Sequence, residues 1–339
     1  MSEFYRRFEN QQMSVLEDAL AEVYKAAQKD VLKKMAAWTK KHAAKNRQML
    51  ADVKAGKITE EAYQAWMTGQ VFVGKQWQDK VDEITDVMVH ADREAARLIN
   101  TRTRSVFIEA ANHTAYELEK DLGGVINFSL FDEQTVASLV ERAPELLPRR
   151  VIDGERAAAW QTKQVANAIA QGIIQGEGIP EISKRLARDT GIAAGKASTR
   201  YARTAITGAQ NAGRQARMEE AEEELAEYGI ELKKRWDAVL DDRTRDAHQD
   251  LDGVTIPVNE SFQNKIGKIA FPGDPSADDA NVWNCRCTLS YVYPKIPVSR
   301  QRRAYRWVED EDGKRHRESY IVGDLTYKEW KKTKDGESK

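Results

Sequence analysis

Cysteine is almost absent from this chain of 339 residues: the only two, Cys285 and Cys287, flank a single arginine, so no disulfide framework holds the fold together. Proline first appears at Pro144, which removes the usual helix breaker from the whole preceding stretch. No apolar run approaches the roughly 18 residues needed to cross a bilayer. The amino terminus, Met1 to Glu9, lacks the apolar core of a secretion signal, and the chain is read as synthesised and assembled in a cytoplasm. Neither sign of charge dominates. With 53 basic and 54 acidic side chains the net charge is -1, so any contact with nucleic acid has to be local. The sequence also lacks a Walker-type phosphate loop, an HExxH pair and a GxSxG elbow.

What is present is charge, at 32% of residues beside 41% hydrophobic, which describes a large wetted surface on a chain long enough for two or more cores. From Met13 to Gly123 apolar residues recur at helical spacing, as in Leu16, Leu20, Val23, Ala27 and Val31. Thr59 followed by Glu60 and Glu61 predicts a helix start. Trp77, Val81, Ile84, Met88, Ala91, Ala95 and Leu98 alternate steps of four and three, either a coiled-coil seam or a helix packed in an antiparallel bundle, and the two alanines favour the bundle. Pro144, Pro148 and Asp153-Gly154 mark a module boundary, after which short helices joined by glycine turns are expected: one from Glu155 to Gln175, closed by Gly176 and Gly178, and a long charged one from Ser198 to Tyr228.

After Lys234 short strands are predicted at Val254–Val258, Lys268–Phe271 and Cys285–Tyr293. Asp312-Gly313 between two aromatic-rich runs predicts a hairpin, Leu325–Trp330 a last amphipathic turn, and Thr333–Lys339 a frayed end. The expected fold is therefore mainly α with a small α+β C-terminal module. Its divisions are an elongated helical arm (1–150, with the seam at 77–98), a helical part (151–233), a small mixed module (234–295), and a hairpin with tail (296–339).

Chemistry-bearing residues concentrate between Trp236 and Cys287. If Asp241 to His248 forms a short helix, Arg245 and His248 share a face suited to an anion; the structural alternative pairs Arg245 with Asp241 and has His248 cap a turn ending at Gly253. Cys285 and Cys287, with His248 and an acid such as Asp246 or Asp274, would make four zinc ligands. On a strand, however, both cysteines lie on one core face with Leu289, Tyr291 and Tyr293, and sharing an ion would require the backbone to pinch them together. A cysteine nucleophile with His248 as base has no local motif behind it. Basic residues gather at Lys184, Arg185, Arg188, Lys196, Arg200 and Arg203, and at Arg300, Arg302, Arg303 and Arg306. Interleaved acids make both groups solvated surface rather than a DNA-binding face. Trp66, Trp77 and Trp330 are candidates for a partner interface.

The order Tyr201-Ala202-Arg203-Thr204, Asn211, Trp236, Asp242-Arg243-Thr244-Arg245-Asp246-Ala247-His248, Asp252-Gly253, Phe262, Phe271-Pro272-Gly273-Asp274 and Asn284-Cys285-Arg286-Cys287 resembles the signature of the phage Mu F-like head morphogenesis family, the minor head proteins of tailed bacteriophages. The likeness runs from about Glu155 to Tyr293. Many members carry an acid after the Ala-Arg-Thr run where this chain has Ala205, which weakens any catalytic role for that position. The resemblance implies a non-enzymatic minor head protein of the virion, at the head interior or portal vertex. Its implied partners are the portal and a capsid or scaffolding protein, with double-stranded DNA a further one and no membrane, and no cofactor is implied. Related modules occur joined to toxin enzymes. The rival readings are a metal-dependent nuclease, or another enzyme, built on His248, Cys285 and Cys287, and a coiled-coil adaptor unrelated to capsids.

Overall fold

A computed structural model describes residues 3–72, 75–123, 126–295, 301–310, 313–330 and 332. The side chain of Trp77, the residue Asp312, Pro297 and the tail 333–339 lie outside the described residues. The chain is mainly helical, with its small sheets in the C-terminal third, as its sequence predicts. Among the described residues no helix is long and apolar enough to cross a membrane. The helices are α1 (Glu3–Lys54), α2 (Glu60–Phe72), α3 (Lys75–Asp121), α4 (Glu133–Arg142), α5 (Gly154–Ile174), α6 (Ile179–Glu227), α7 (Asp246–Gln249) and α8 (Asp279–Val282). The Thr59 hydroxyl accepts from the Ala62 amide at 3.1 Å, satisfying one of the open donors at the start of α2.

One expectation fails in α6. It is a single helix of 49 residues rather than a set of short ones, because its glycines make close approaches instead of turns. A side-chain carbon at Gly191 would strike Gln28 of α1, and one at Gly195 would touch the Tyr24 ring at 3.6 Å. Gly176, with φ +68°, does supply the turn that closes α5, and Pro180 sits in the first turn of α6.

The chain divides into two compact units, residues 15–99 with 150–200, and residues 1–14 with 100–149 and 201–339. The first is all helix. Leu16, Leu20, Tyr24, Ala27, Val31 and Met35 form a buried row on α1, and Val81, Ile84, Met88, Ala91 and Ala95 are buried on α3, so the predicted seam faces protein. A polar knot sits inside this apolar packing. The Tyr24 hydroxyl donates to Asp92 Oδ1 at 2.7 Å and lies 2.6 Å from Ser198 Oγ, while Gln161 donates to Asp92 Oδ2 at 2.8 Å. Asp92 thereby ties α1, α3, α5 and α6, which is a helix-bundle arrangement rather than a two-stranded coil.

The second unit contains a three-stranded antiparallel sheet, β2 (Thr255–Pro257), β1 (Lys233–Asp237) and β5 (Thr288–Val292) in that spatial order. It also holds the two-stranded pair β3 (Phe262–Gln263) and β4 (Lys268–Ile269), and the hairpin β6 (Arg302–Glu309) with β7 (Arg315–Val322). Two expected solvent or interface residues are buried here. Arg302 is 4% exposed and forks onto Asp252 at 2.8 and 2.9 Å. Trp330 is 7% exposed, packs with Leu240, Ala304 and Tyr327, and donates to the Tyr320 hydroxyl at 2.7 Å. Trp330 is therefore spent inside the fold. Trp66 is half-buried and stacks on Tyr63.

Replacing Asp92 with alanine strands two buried donors, each costing about 1–3 kcal/mol. Urea unfolding of Asp92→Ala should show a loss of about 3 kcal/mol, with Asp92→Asn falling between it and the wild type. A loss below about 0.5 kcal/mol would remove the knot from the account.

Candidate metal centre and its polar frame

Residues 204–218 of α6 are buried without interruption, although Thr204, Thr207, Gln210, Asn211, Arg214, Gln215 and Arg217 are polar. Such a helix is stable only if every polar group finds a partner. Asn211 meets this demand most fully. Its amide nitrogen donates to the carbonyls of Thr207 at 3.0 Å, Pro272 at 3.0 Å and Cys287 at 3.2 Å. Its oxygen accepts the Leu289 amide at 2.8 Å and the Thr288 hydroxyl at 3.4 Å. One side chain thus joins a helix, the Pro-Gly-Asp turn and the entry to β5.

One turn earlier, Gly208 meets Gly273, whose φ is +83°. A side-chain carbon on Gly208 would lie 2.6 Å from the Gly273 oxygen and 2.8 Å from Pro148 Cγ. Asp274 closes the same turn by accepting from the Ala270 amide, and from both the amide and the hydroxyl of Ser276. Arg214 reaches Thr288 Oγ1 at 2.8 Å and the Leu289 carbonyl. Lys234 is buried and donates to Gln215 Oε1 at 3.1 Å and the Ala270 carbonyl at 3.0 Å. Burial pushes its ammonium down to about 8, against the pull of Glu219 and Asp274.

This frame delivers the cysteines to His248. Residues 284–287 precede β5 instead of belonging to it, so the expected placement of both thiols on a strand face is corrected. The cause is local. Asn284 adopts φ +56°, its amide donates to Thr204 Oγ1 at 3.1 Å, and the Cys285 amide closes a turn onto the Val282 carbonyl at 3.1 Å. Cys285 Sγ then lies 3.6 Å and Cys287 Sγ 3.5 Å from the same atom, His248 Nδ1. The three ligating atoms fall within 4.8 Å of one another, and the residues are 4%, 3% and 1% exposed. Trp236 packs against His248 edge-on, with ring centres 5.1 Å apart, and Phe262 packs on Trp236 in turn. A hydrogen bond with Cys287 draws the Cys285 thiol down, whereas burial pushes that of Cys287 well up.

The other predicted site residues are dispersed. Arg245 neither pairs with Asp241 nor shares an anion with His248; its guanidinium is bound to the carbonyls of Ala280 and Trp283. His248 does not cap a turn, because its ring points into the thiol pair. Asp246 is exposed and 3.8 Å from Lys265, and Asp274 is consumed in its own turn, so neither expected acid joins the cluster. Arg203 and the Arg243 side chain are exposed. Gly253, with φ +81°, gives its amide to the Trp236 carbonyl at 2.9 Å.

Gly208, Arg214 and Lys234 belong to no motif in the sequence, although a glycine inside a long helix is itself a signal of close approach. Arg286, the residue between the cysteines, forks onto Asp241 at 2.5 and 2.9 Å, and Arg317 adds a contact at 3.1 Å. Burial would raise the Asp241 carboxyl. The Arg286 bonds and charge, the Arg243 amide and the Arg317 charge outweigh burial and bring it down to about 2.

Residues 163–290 match the family model described as Phage Mu protein F like protein, a span that contains every signature residue from Arg203 to Cys287. The minor head protein GP7 of Bacillus phage SPP1 is 29% identical over 262 residues, covering 76% of this chain and 78% of that protein. The NAD(+)--arginine ADP-ribosyltransferase EFV of Enterococcus faecalis is 31% identical over 183 residues, which is 53% of this chain and 36% of that enzyme. No solved structure matches.

Alanine normally stabilises a helix interior relative to glycine by roughly 0.5–1 kcal/mol. Gly208→Ala should invert that sign and destabilise by about 1–3 kcal/mol in urea unfolding, since the turn backbone occupies the space; a stabilised variant would refute the close approach. Asp241 generates a pH dependence. Its carboxyl is depressed from 3.8 to about 2 in the fold, so its contribution of about 2 kcal/mol is complete above pH 4–5 and is lost as pH falls toward 2. The stability gap between wild type and Asp241→Asn should therefore narrow in acid, and a gap constant from pH 6 to 2.5 would contradict the pairing.

Proposed function

The chain belongs to the phage Mu F-like family of minor head proteins, and from that premise we propose that it assembles into the head as a portal-associated binding protein. A role in phage head assembly, contact with other capsid components and a place in the virion come with the family. The attachment to the portal is our reading. The observation that carries a binding role is how the signature is used: Thr204, Asn211, Trp236, Asp274, Asn284 and the two cysteines are all buried or committed to internal bonds. Residues held this way fix the shape of a docking unit. They also weigh against a nuclease on His248, Cys285 and Cys287, because a polynucleotide has no access to groups 1–4% exposed.

Affinity for a protein partner needs apolar surface. The all-helical unit supplies it, with Leu32 at 42% exposed on α1, Trp160 at 37% on α5 and Ile192 at 43% on α6. Contact with DNA has less support. Arg185 is bound to Glu177 and lies 3.6 Å from Asp189, and Arg188 pairs with Asp189 at 2.7 Å, so part of the basic group on α6 is already neutralised.

The test is co-purification with the portal from cells expressing both. Deleting residues 1–150 is unsuitable, since residues 1–14 and 100–149 are part of the unit that carries the signature. Single charges on the full chain serve better. Leu32→Glu and Trp160→Glu should each weaken portal capture at least about tenfold, equivalent to 1.4 kcal/mol, with unchanged melting. Full capture by both variants, or none by the wild type, would refute this docking assignment.

A further inference from the structure

We propose that His248, Cys285 and Cys287 hold a zinc-class ion that clamps α7 to the turn entering β5. A tetrahedral zinc with bonds of about 2.3 Å to sulfur and about 2.1 Å to nitrogen places each sulfur about 3.6 Å from the nitrogen. The two separations here are 3.6 and 3.5 Å.

Nδ1 of a neutral imidazole carries one lone pair or one proton, so it forms one good hydrogen bond. Two sulfurs equidistant from that single nitrogen therefore exceed what a thiol–imidazole bond explains. An ion among the three atoms engages all of them at once.

The donor set selects the ion. Thiolate and imidazole favour zinc over magnesium, calcium or manganese, which prefer oxygen ligands. Two thiolates balance the charge of a divalent ion, so the clamp adds no net charge to a buried place. Among the described residues no fourth His, Cys, Asp or Glu joins the group, which leaves one position for a water or another small ligand. The walls make that position structural rather than catalytic. Trp236 covers the His248 ring, and all three residues are nearly inaccessible. The backbone supports the clamp before the ion arrives. Asn211 holds the Cys287 carbonyl at 3.2 Å, Thr204 holds the Asn284 amide at 3.1 Å, and α7 is closed by its own turn bonds. Binding then requires loss of the thiol protons and little rearrangement.

The experiment uses the full chain, expressed in zinc-supplemented medium and purified without chelator. Elemental analysis should find about one zinc per chain. Exchange with cobalt should give a thiolate-to-cobalt charge-transfer band of two-thiolate intensity, roughly halved in Cys285→Ser and in Cys287→Ser. If those variants do not fold, the wild type remains informative: a chelator should release the zinc, lower the melting temperature and expose two thiols to reagent. Zinc absent after supplementation, no charge-transfer band with cobalt, or a Cys285–Cys287 disulfide in the mass of the purified protein would each overturn the proposal.

Discussion

The carboxamide of Asn211 is the constraint on which the signature region depends. A buried helix face with this many polar groups is costly unless the groups are matched, and Asn211 matches three carbonyls and an amide from three separate segments. Its reach is short, so the Pro-Gly-Asp turn has to come against α6. Gly208 and Gly273 permit that approach because neither carries a side chain at the contact. Once the turn and the start of β5 are fixed, Asn284 is turned through its positive φ and both thiols face His248. The order of dependence therefore runs from helix to turn to thiol pair.

The charged residues of the signature follow the same logic. Asp241 receives Arg286 and Arg317, and Asp252 receives Arg302 and the Ala238 amide, so the loops between β1 and β2 are pinned to the cysteine turn and to the hairpin. These are paired, hydrogen-bonded charges, and removing one partner leaves the other buried without compensation. The chain is similar both to a phage minor head protein and, over about half of its length, to a protein named as an ADP-ribosyltransferase, of which the match covers 36%. A self-contained structural unit can be carried in different proteins without bringing a reaction with it.

Much of this was legible in the sequence. Helical periodicity located α1 and α3, Thr59 marked the start of α2, and the aromatic runs around Gly313 gave the hairpin, because each depends on local spacing. The resemblance picked out Asn211, Asp274, Asn284 and the cysteines without saying what each does. What could not be read was set by contacts distant in the chain. The stretch from Ser198 to Tyr228 reads only as a long charged helix, yet residues 204–218 are enclosed, and no local pattern distinguishes a wetted arginine from Arg217, whose guanidinium carbon lies 4.0 Å from the Phe131 ring centre. Arg302 was misjudged for the same reason, since its partner Asp252 is fifty positions earlier. The pinched thiols were missed because strand periodicity was extended three residues too far, back to a backbone reversal at Asn284 that hydrogen bonding to Thr204 stabilises.

The part of α6 around Asn211 and the signature module form one cooperative structure, which native-state hydrogen exchange on the full chain reads directly. The Leu289 amide, bound to Asn211, and the amides of α6 around Asn211 should open with the same free energy and the same denaturant dependence. Exchange of Leu289 through a low-energy opening, while the α6 amides stay protected to the limit of global unfolding, would contradict it.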